Sequence, residues 1–194
     1  MSLSVKVQTH QLSTHAVLCA SGFNQVSGDS SAIEAMTDFS RVPAVTVAAS
    51  ASLGEANARM ISRGVRLLMV TGHDEQVLGL ITARDILGEK PLQLLQARGG
   101  RREDLAVADL MVKIGAIDTL YLTEVMNARV SDIFNALKEI GRQHILVEDV
   151  DQASGQPRVR GIFSATQIGR QLGVPVLGFD LPKTFAEIEA ALAN

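Results

Sequence analysis

Gly79-Leu80-Ile81-Thr82-Ala83-Arg84-Asp85 returns, 82 positions further on, as Gly161-Ile162-Phe163-Ser164-Ala165-Thr166-Gln167. In each copy an apolar run ends at a hydroxyl residue, and a short amphipathic stretch follows. Working backwards, Leu53 to Val70 aligns with Val130 to Val147 at a constant offset of 77, with Gly64 on Gly141 and Leu67-Leu68-Met69-Val70 on His144-Ile145-Leu146-Val147. Upstream, the same offset sets Val45-Thr46 on Leu122-Thr123. The change from 77 to 82 is what one longer hairpin loop produces, and loops accept such insertions. An internal repeat therefore organises the chain.

Each copy reads as strand, helix, two strands, helix. The first strands are expected at Ala44 to Val47 and Leu120 to Thr123. Leu53, Ala56, Met60 and Ile61 in one copy, and Val130, Ile133, Phe134 and Leu137 in the other, have the spacing of an amphipathic helix. Both helices run into a glycine, Gly64 or Gly141, suited to a left-handed C-terminal cap. Ser52 with Glu55 makes a capping box at the start of the first helix. The strand pairs are expected at Leu67 to Val70 with Val77 to Ile81, and at Ile145 to Val147 with Val159 to Phe163. The closing helices fall near Arg84 to Leu87 and Thr166 to Leu172.

The strand-to-helix corner carries the chemistry, and it has two readings. As local structure, Thr82 with Asp85 and Ser164 with Gln167 are capping boxes that need no ligand. As a site, free N–H groups, a hydroxyl and Arg84 suit phosphate, while a carboxylate such as Asp85 accepts both hydroxyls of a ribose.

The repeated β-α-β-β-α order, the Gly-Leu-Ile-Thr-x-x-Asp corner, and Asp109-Leu110-Met111 with its counterpart Ala35-Met36 resemble the CBS domain. Two such copies in tandem resemble its paired Bateman module. The resemblance runs from about Ser31 to Gly173. It implies an α/β (α+β) fold of two tandem βαββα repeats packed about a pseudo-twofold axis. The implied divisions are an N-terminal extension (1–30), repeat 1 (31–88), a linker (89–106), repeat 2 (107–173) and a C-terminal helical extension (174–194). Neither second strand carries the proline common in the family.

The resemblance also implies a regulatory sensor rather than an enzyme. It would bind AMP, ADP, ATP or S-adenosylmethionine between the repeats and form a homodimer that acts on a partner protein. Carried over residue by residue, one cleft takes Thr82, Arg84 and Asp85 for ribose and phosphate. Leu110 and Met111 would flank the adenine, with Arg142 and Gln143 nearby. The opposite cleft takes Val65, Arg66, Ser164, Thr166 and Gln167. Gln167 cannot supply a charged acceptor, so the second site is expected to be degenerate. The competing reading is an interaction module that binds no ligand.

Composition limits the alternatives. The 194 residues are 46% hydrophobic, with a net charge of −3 and a pI near 5.8, unlike a protein that neutralises nucleic-acid phosphate. The basic run Arg98-Gly99-Gly100-Arg101-Arg102 lacks aromatic partners and reads as a solvated loop. Cys19 is the only cysteine, which excludes an internal disulfide. No apolar run is long enough for a membrane span and no leader is evident, so the expectation is a cytoplasmic protein. His10, His15, His73 and His144 lack metal-site spacing. Glu148, Asp149 and Asp151 read as a solvated hairpin turn. Val5 to Val7 suggests a strand, and Thr184 to Leu192 a capped helix after Pro182.

Overall fold

The computed structural model describes residues 25–73 and 76–173. The strand expected at Val5 to Val7, the helix expected at Thr184 to Leu192, and His10, His15 and Cys19 lie outside the described residues. In chain order the elements are β1 (Thr37–Asp38), β2 (Thr46–Ala48), α1 (Leu53–Arg63), β3 (Leu67–Thr71), β4 (Val77–Thr82) and α2 (Ala83–Leu87). Next come α3 (Lys90–Arg98), α4 (Val107–Leu110), β5 (Val112–Lys113), β6 (Thr119–Tyr121) and α5 (Leu122–Val125). The chain continues through α6 (Val130–Glu139), β7 (His144–Val150), β8 (Pro157–Ser164) and α7 (Ala165–Gln171).

They form two four-stranded sheets, ordered β2-β3-β4-β5 and β1-β8-β7-β6. In each sheet a parallel pair adjoins an antiparallel hairpin, and the last strand comes from the segment that precedes the other repeat. β1, which leads into repeat 1, therefore completes the sheet of repeat 2. β5, which leads into repeat 2, completes the sheet of repeat 1. Matching bonds reinforce the exchange: Val130 N donates to Ser30 O at 3.0 Å, and Val107 N to Ala51 O at 2.9 Å.

The two glycines of the repeated corner motif have their reason here. A Cβ on Gly79 would lie 2.2 Å from Val112 O, and one on Gly161 would lie 2.7 Å from Thr37 O. Each glycine sits where the exchanged edge strand presses against the hairpin, the close backbone approach that excludes a side chain.

Three apolar clusters follow from strand alternation. Leu68, Val70 and Ile81 face α1 and α2 together with Val107 and Leu110, whereas Ile145, Val147 and Phe163 face α6 and α7 together with Ala32, Ala35 and Met36. The alternate residues Met69, Leu80, Leu146 and Ile162 meet in a third cluster drawn from both sheets. Strands covered on both faces read as unbroken apolar runs, which is why Leu67 to Val70 shows no polar alternation.

Several local expectations hold. Ser52 Oγ accepts from Glu55 N at 3.2 Å, and Ser52 N donates to Glu55 Oε2 at 2.7 Å. Gly64 and Gly141 take φ of 64° and 62°. Val130, Ile133, Phe134 and Leu137 are all buried.

Four expectations are corrected. Ile61 is 73% exposed, because at ~100° per residue it lies about 80° from Leu53, off the stripe centred on Ala56 and Met60. The upstream repeat register is 73, not 77, since Thr46 pairs with Met69 and Thr119 with Leu146. The intervening residues are taken up by α5, which has no counterpart in repeat 1. The segment between the repeats contains α3, with Pro91 in its first turn. The basic run there is exposed but paired: Arg98 Nη1 donates to Asp109 Oδ1 at 2.9 Å, and Arg102 Nη2 to Ile86 O at 2.6 Å.

The hairpin acids are also more than a solvated turn. Arg158 bridges Asp149 at 2.8 Å and Asp151 at 2.9 Å, fastening the arms of the longer loop. Among the described residues no helix is long and apolar enough to cross a membrane.

Candidate functional site

The β4–α2 corner is a closed set of bonds around one carboxylate. Thr82 is the N-cap of α2, and Asp85 N donates to its Oγ1 at 3.3 Å. Asp85 Oδ2 in turn accepts from Thr82 N at 2.9 Å and from Thr82 Oγ1 at 2.6 Å. Its other oxygen, Oδ1, forms an ion pair with the ammonium of Lys90 at the start of α3. Asp85 is 6% exposed and is the one charged residue among the buried ones described. A buried carboxylate is costly unless paired and hydrogen-bonded, and this one is both.

Lys90 was missed in the sequence. Its signal was weak: a lysine five residues beyond the acid, in a segment read as linker. α3 brings it back over the corner. Lys90 also borders an open groove between α3 and α4, lined by Gln93, Leu94, Ala97, Asp109 and Leu110. Leu110 is 6% exposed and packs in the same core as Ile81 and Ile86. Met111 is partly buried against that core. Leu110 and Met111 thus pack against the core of repeat 1 that also takes Ile81 and Ile86, the chain neighbours of Thr82 and Asp85, although they belong to the start of repeat 2.

The structure places the remaining candidates as follows. Arg84 is exposed on α2. Arg142 is exposed and lies 4.0 Å from Asp118. Gln143 O accepts from Ala165 N at 2.9 Å, and Arg66 O from Ala83 N at 2.9 Å, so each backbone meets the corner of its own repeat. Val65 is partly buried in the core of repeat 1. The charge of Arg66 nevertheless acts on His144 of repeat 2. Desolvation first, and the Arg66 guanidinium second, hold the His144 pKa down to about 4. His144 is the counterpart of Leu67, which packs in the central cluster. Burial there explains a neutral imidazole.

The second corner is built differently. Ser164 makes no side-chain capping bond, contrary to the expected capping box. Gln167 instead accepts, through Oε1, from Thr37 Oγ1 at 2.9 Å. The exchanged strand β1 diverts the side chain that would have closed the box. Thr166 is partly buried on α7. The two corners therefore differ in chemistry: an anionic, cation-paired one at Asp85 and a neutral one at Gln167. Among the described residues no cluster of His, Cys, Asp and Glu has metal-binding geometry.

The CBS domain family model matches residues 30–91. The chain carries a CBS domain, and its fold is that of a CBS-domain pair. Solved structures resemble it over both repeats. A CBS-domain containing protein from Agrobacterium tumefaciens is 22% identical, with a TM-score of 0.51, covering 69% of this chain and 88% of its own. An uncharacterized conserved protein from Pyrococcus horikoshii is 22% identical, with a TM-score of 0.54, over 75% and 93%. CBSX2 from Arabidopsis thaliana, solved in complex with AMP, is 20% identical, with a TM-score of 0.50, over 73% and 94%. No curated protein matches the chain. The matched region of this CBS-domain pair includes the whole Thr82–Asp85 corner and the first residues of α3.

Proposed function

We propose that this CBS-domain pair is a non-enzymatic regulatory module that binds an adenosine-type nucleotide beside the Asp85 corner. AMP, ADP, ATP and S-adenosylmethionine are the ligands to test. The observation that carries the reading is a buried carboxylate joined to a threonine hydroxyl at the strand-to-helix corner. This is the arrangement that accepts two adjacent ribose hydroxyls. The AMP complex of CBSX2 supports an adenosyl ligand in this fold. Leu110 and Met111 supply apolar surface next to the corner, and Arg84 supplies charge for phosphate. The Gln167 corner, neutral and bonded to Thr37, is assigned as a degenerate second site with Val65, Arg66, Ser164 and Thr166.

Regulation then follows from differential affinity. A ligand that binds one packing of the two repeats more tightly shifts the population toward it. The exchanged strands β1 and β5 couple the repeats mechanically, so a shift at one corner is transmitted to the other sheet. A homodimer acting on a partner protein in the cytoplasm completes the proposal.

A second reading is favoured by one specific observation: both oxygens of Asp85 already have partners within the chain. Under that reading the corner is only a helix start and the module works through protein contacts. Calorimetric titration with AMP, ATP and S-adenosylmethionine separates the two. The nucleotide reading expects saturable binding of one of them, weakened at least tenfold by Asp85→Ala. Absence of binding at millimolar ligand, or unchanged affinity in Asp85→Ala, would establish the ligand-free reading or remove Asp85 from the site.

A further inference from the structure

We infer that Lys90 is a built-in competitor for the Asp85 carboxylate. It would make the site select ligands that carry an anionic group beside the ribose over uncharged nucleosides. The inference rests on the nucleotide reading above and adds a selectivity device to it. Asp85 has two oxygens. Oδ2 is committed to Thr82 through two bonds that also start α2. Oδ1 is the oxygen left for a ribose hydroxyl, and the Lys90 ammonium holds it.

The exposures of the two partners are unequal. The Asp85 side chain is 9% exposed, whereas that of Lys90 is 51% exposed. The carboxylate is therefore fixed, and the ammonium is the partner that can leave for solvent. A neutral hydroxyl replacing an ammonium on a buried carboxylate exchanges a charge-assisted bond for a weaker one, and the buried charge loses its counter-ion. An uncharged nucleoside meets that cost in full. A nucleotide offsets it, because its phosphate gives the displaced ammonium a new anion at the same site. Lys90 lines the open groove that also contains Leu110, so the released side chain has free space beside it. The charge pairs simply exchange partners, from Lys90–Asp85 to Lys90–phosphate.

Two further charged groups, Arg84 and Asp109, affect the exchange. Arg84 also serves phosphate in the proposed site, so a preference for anions is reduced but not abolished without Lys90. Asp109, across the groove, is bonded to Arg98 and to Ala106 N. Its charge is thus already answered when Lys90 moves.

The test is calorimetric titration of AMP and of adenosine into the full chain as wild type, Lys90→Met and Lys90→Arg, each shown to be folded by its melting curve. Removing the competitor should tighten adenosine binding at least about tenfold, the value of one bond to a charged group. The AMP-to-adenosine affinity ratio should shrink by a similar factor. Lys90→Arg, which keeps the cation, should retain the wild-type ratio. Binding that is detectable only in Lys90→Met would also support the competitor. AMP binding with an adenosine affinity and ratio unchanged in Lys90→Met would overturn the inference and leave the nucleotide site standing. If neither ligand binds any of the three proteins, the AMP form of the nucleotide reading fails and the inference falls with it.

Discussion

Acidification should loosen this protein between pH 7 and pH 5, before most carboxylates of an unfolded chain take up a proton, because of one imidazole. His144 opens β7 at the seam between the sheets, opposite Ser164 and under the charge of Arg66 from the other repeat. Its pKa is held near 4, against 6.5 in an unfolded chain. The folded protein thus refuses a proton that the unfolded chain accepts. Stability is complete above pH 6.5 and falls as pH drops from there toward pH 4. Integrating proton uptake between those pKa values gives a loss of about 2 kcal/mol from pH 7 to pH 5, and about 3 kcal/mol in full. The carboxylates whose pKa is lowered, Asp38, Glu55, Asp149 and Asp151, add their own losses mainly below about pH 5, as pH falls through and below the ordinary carboxylate range. The assay is urea unfolding at pH 7, 6 and 5 for wild type and His144→Gln. The wild type should lose about 2 kcal/mol and the variant much less. A flat wild-type profile, or the same loss in His144→Gln, would refute the argument that the seam keeps this imidazole dry and neutral.

Two further outcomes follow from the exchanged strands. Gly79→Ala and Gly161→Ala each place a methyl group against a backbone carbonyl, Val112 O or Thr37 O. Each should cost more than about 2 kcal/mol in chemical denaturation, since backbone cannot swing aside as a side chain does. A loss under 0.5 kcal/mol would show that the edge strand sits further off. Arg160 grips Asp38 with two bonds of 2.9 Å, fastening β1 to β8, and this pairing holds the Asp38 carboxyl well below the usual range. Asp38→Asn should cost about 2 kcal/mol at pH 7. Because the carboxylate pKa is lowered by folding, that difference should fade as pH is brought down through the carboxylate range. A penalty that persists unchanged at pH 2.5 would count against the ion pair.

Much of the fold was legible because it depends on local pattern. Val130, Ile133, Phe134 and Leu137 declare their helix by spacing alone, and Ser52 with Glu55 declares where the other begins. The repeat itself was legible because both copies solve the same packing problem, with apolar strands covered on two faces. Ile61 misled because one residue beyond Met60 turns the side chain away from the core, a matter of degrees that apolar character does not report. The register before the helices misled because α5 is an insertion of polar and apolar residues with no punctuation to mark it.

The site was legible by halves. Thr82 and Asp85 stand three apart in a pattern that local hydrogen bonding enforces, so their pairing followed from spacing. Gln167 has the same spacing and capping chemistry, yet its amide went to Thr37, 130 residues away in the chain. That choice has no local cause, whereas the Lys90 ion pair, only five residues along the chain, depends on how the chain turns between α2 and α3.

The amino-acid sequence by itself thus determined the repeat, the strands and helices that both copies share, the caps of α1 and α2 and the chemical asymmetry between Asp85 and Gln167. These rest on interactions between near neighbours and on the sorting of apolar from polar positions. The tertiary structure alone decided that β1 and β5 trade sheets and that Gly79 and Gly161 are the crossing points. It alone also set the partly buried His144 within reach of the Arg66 charge from the other repeat. Each of those depends on which distant segments occupy the same space, and pairing across that distance leaves no period in the sequence.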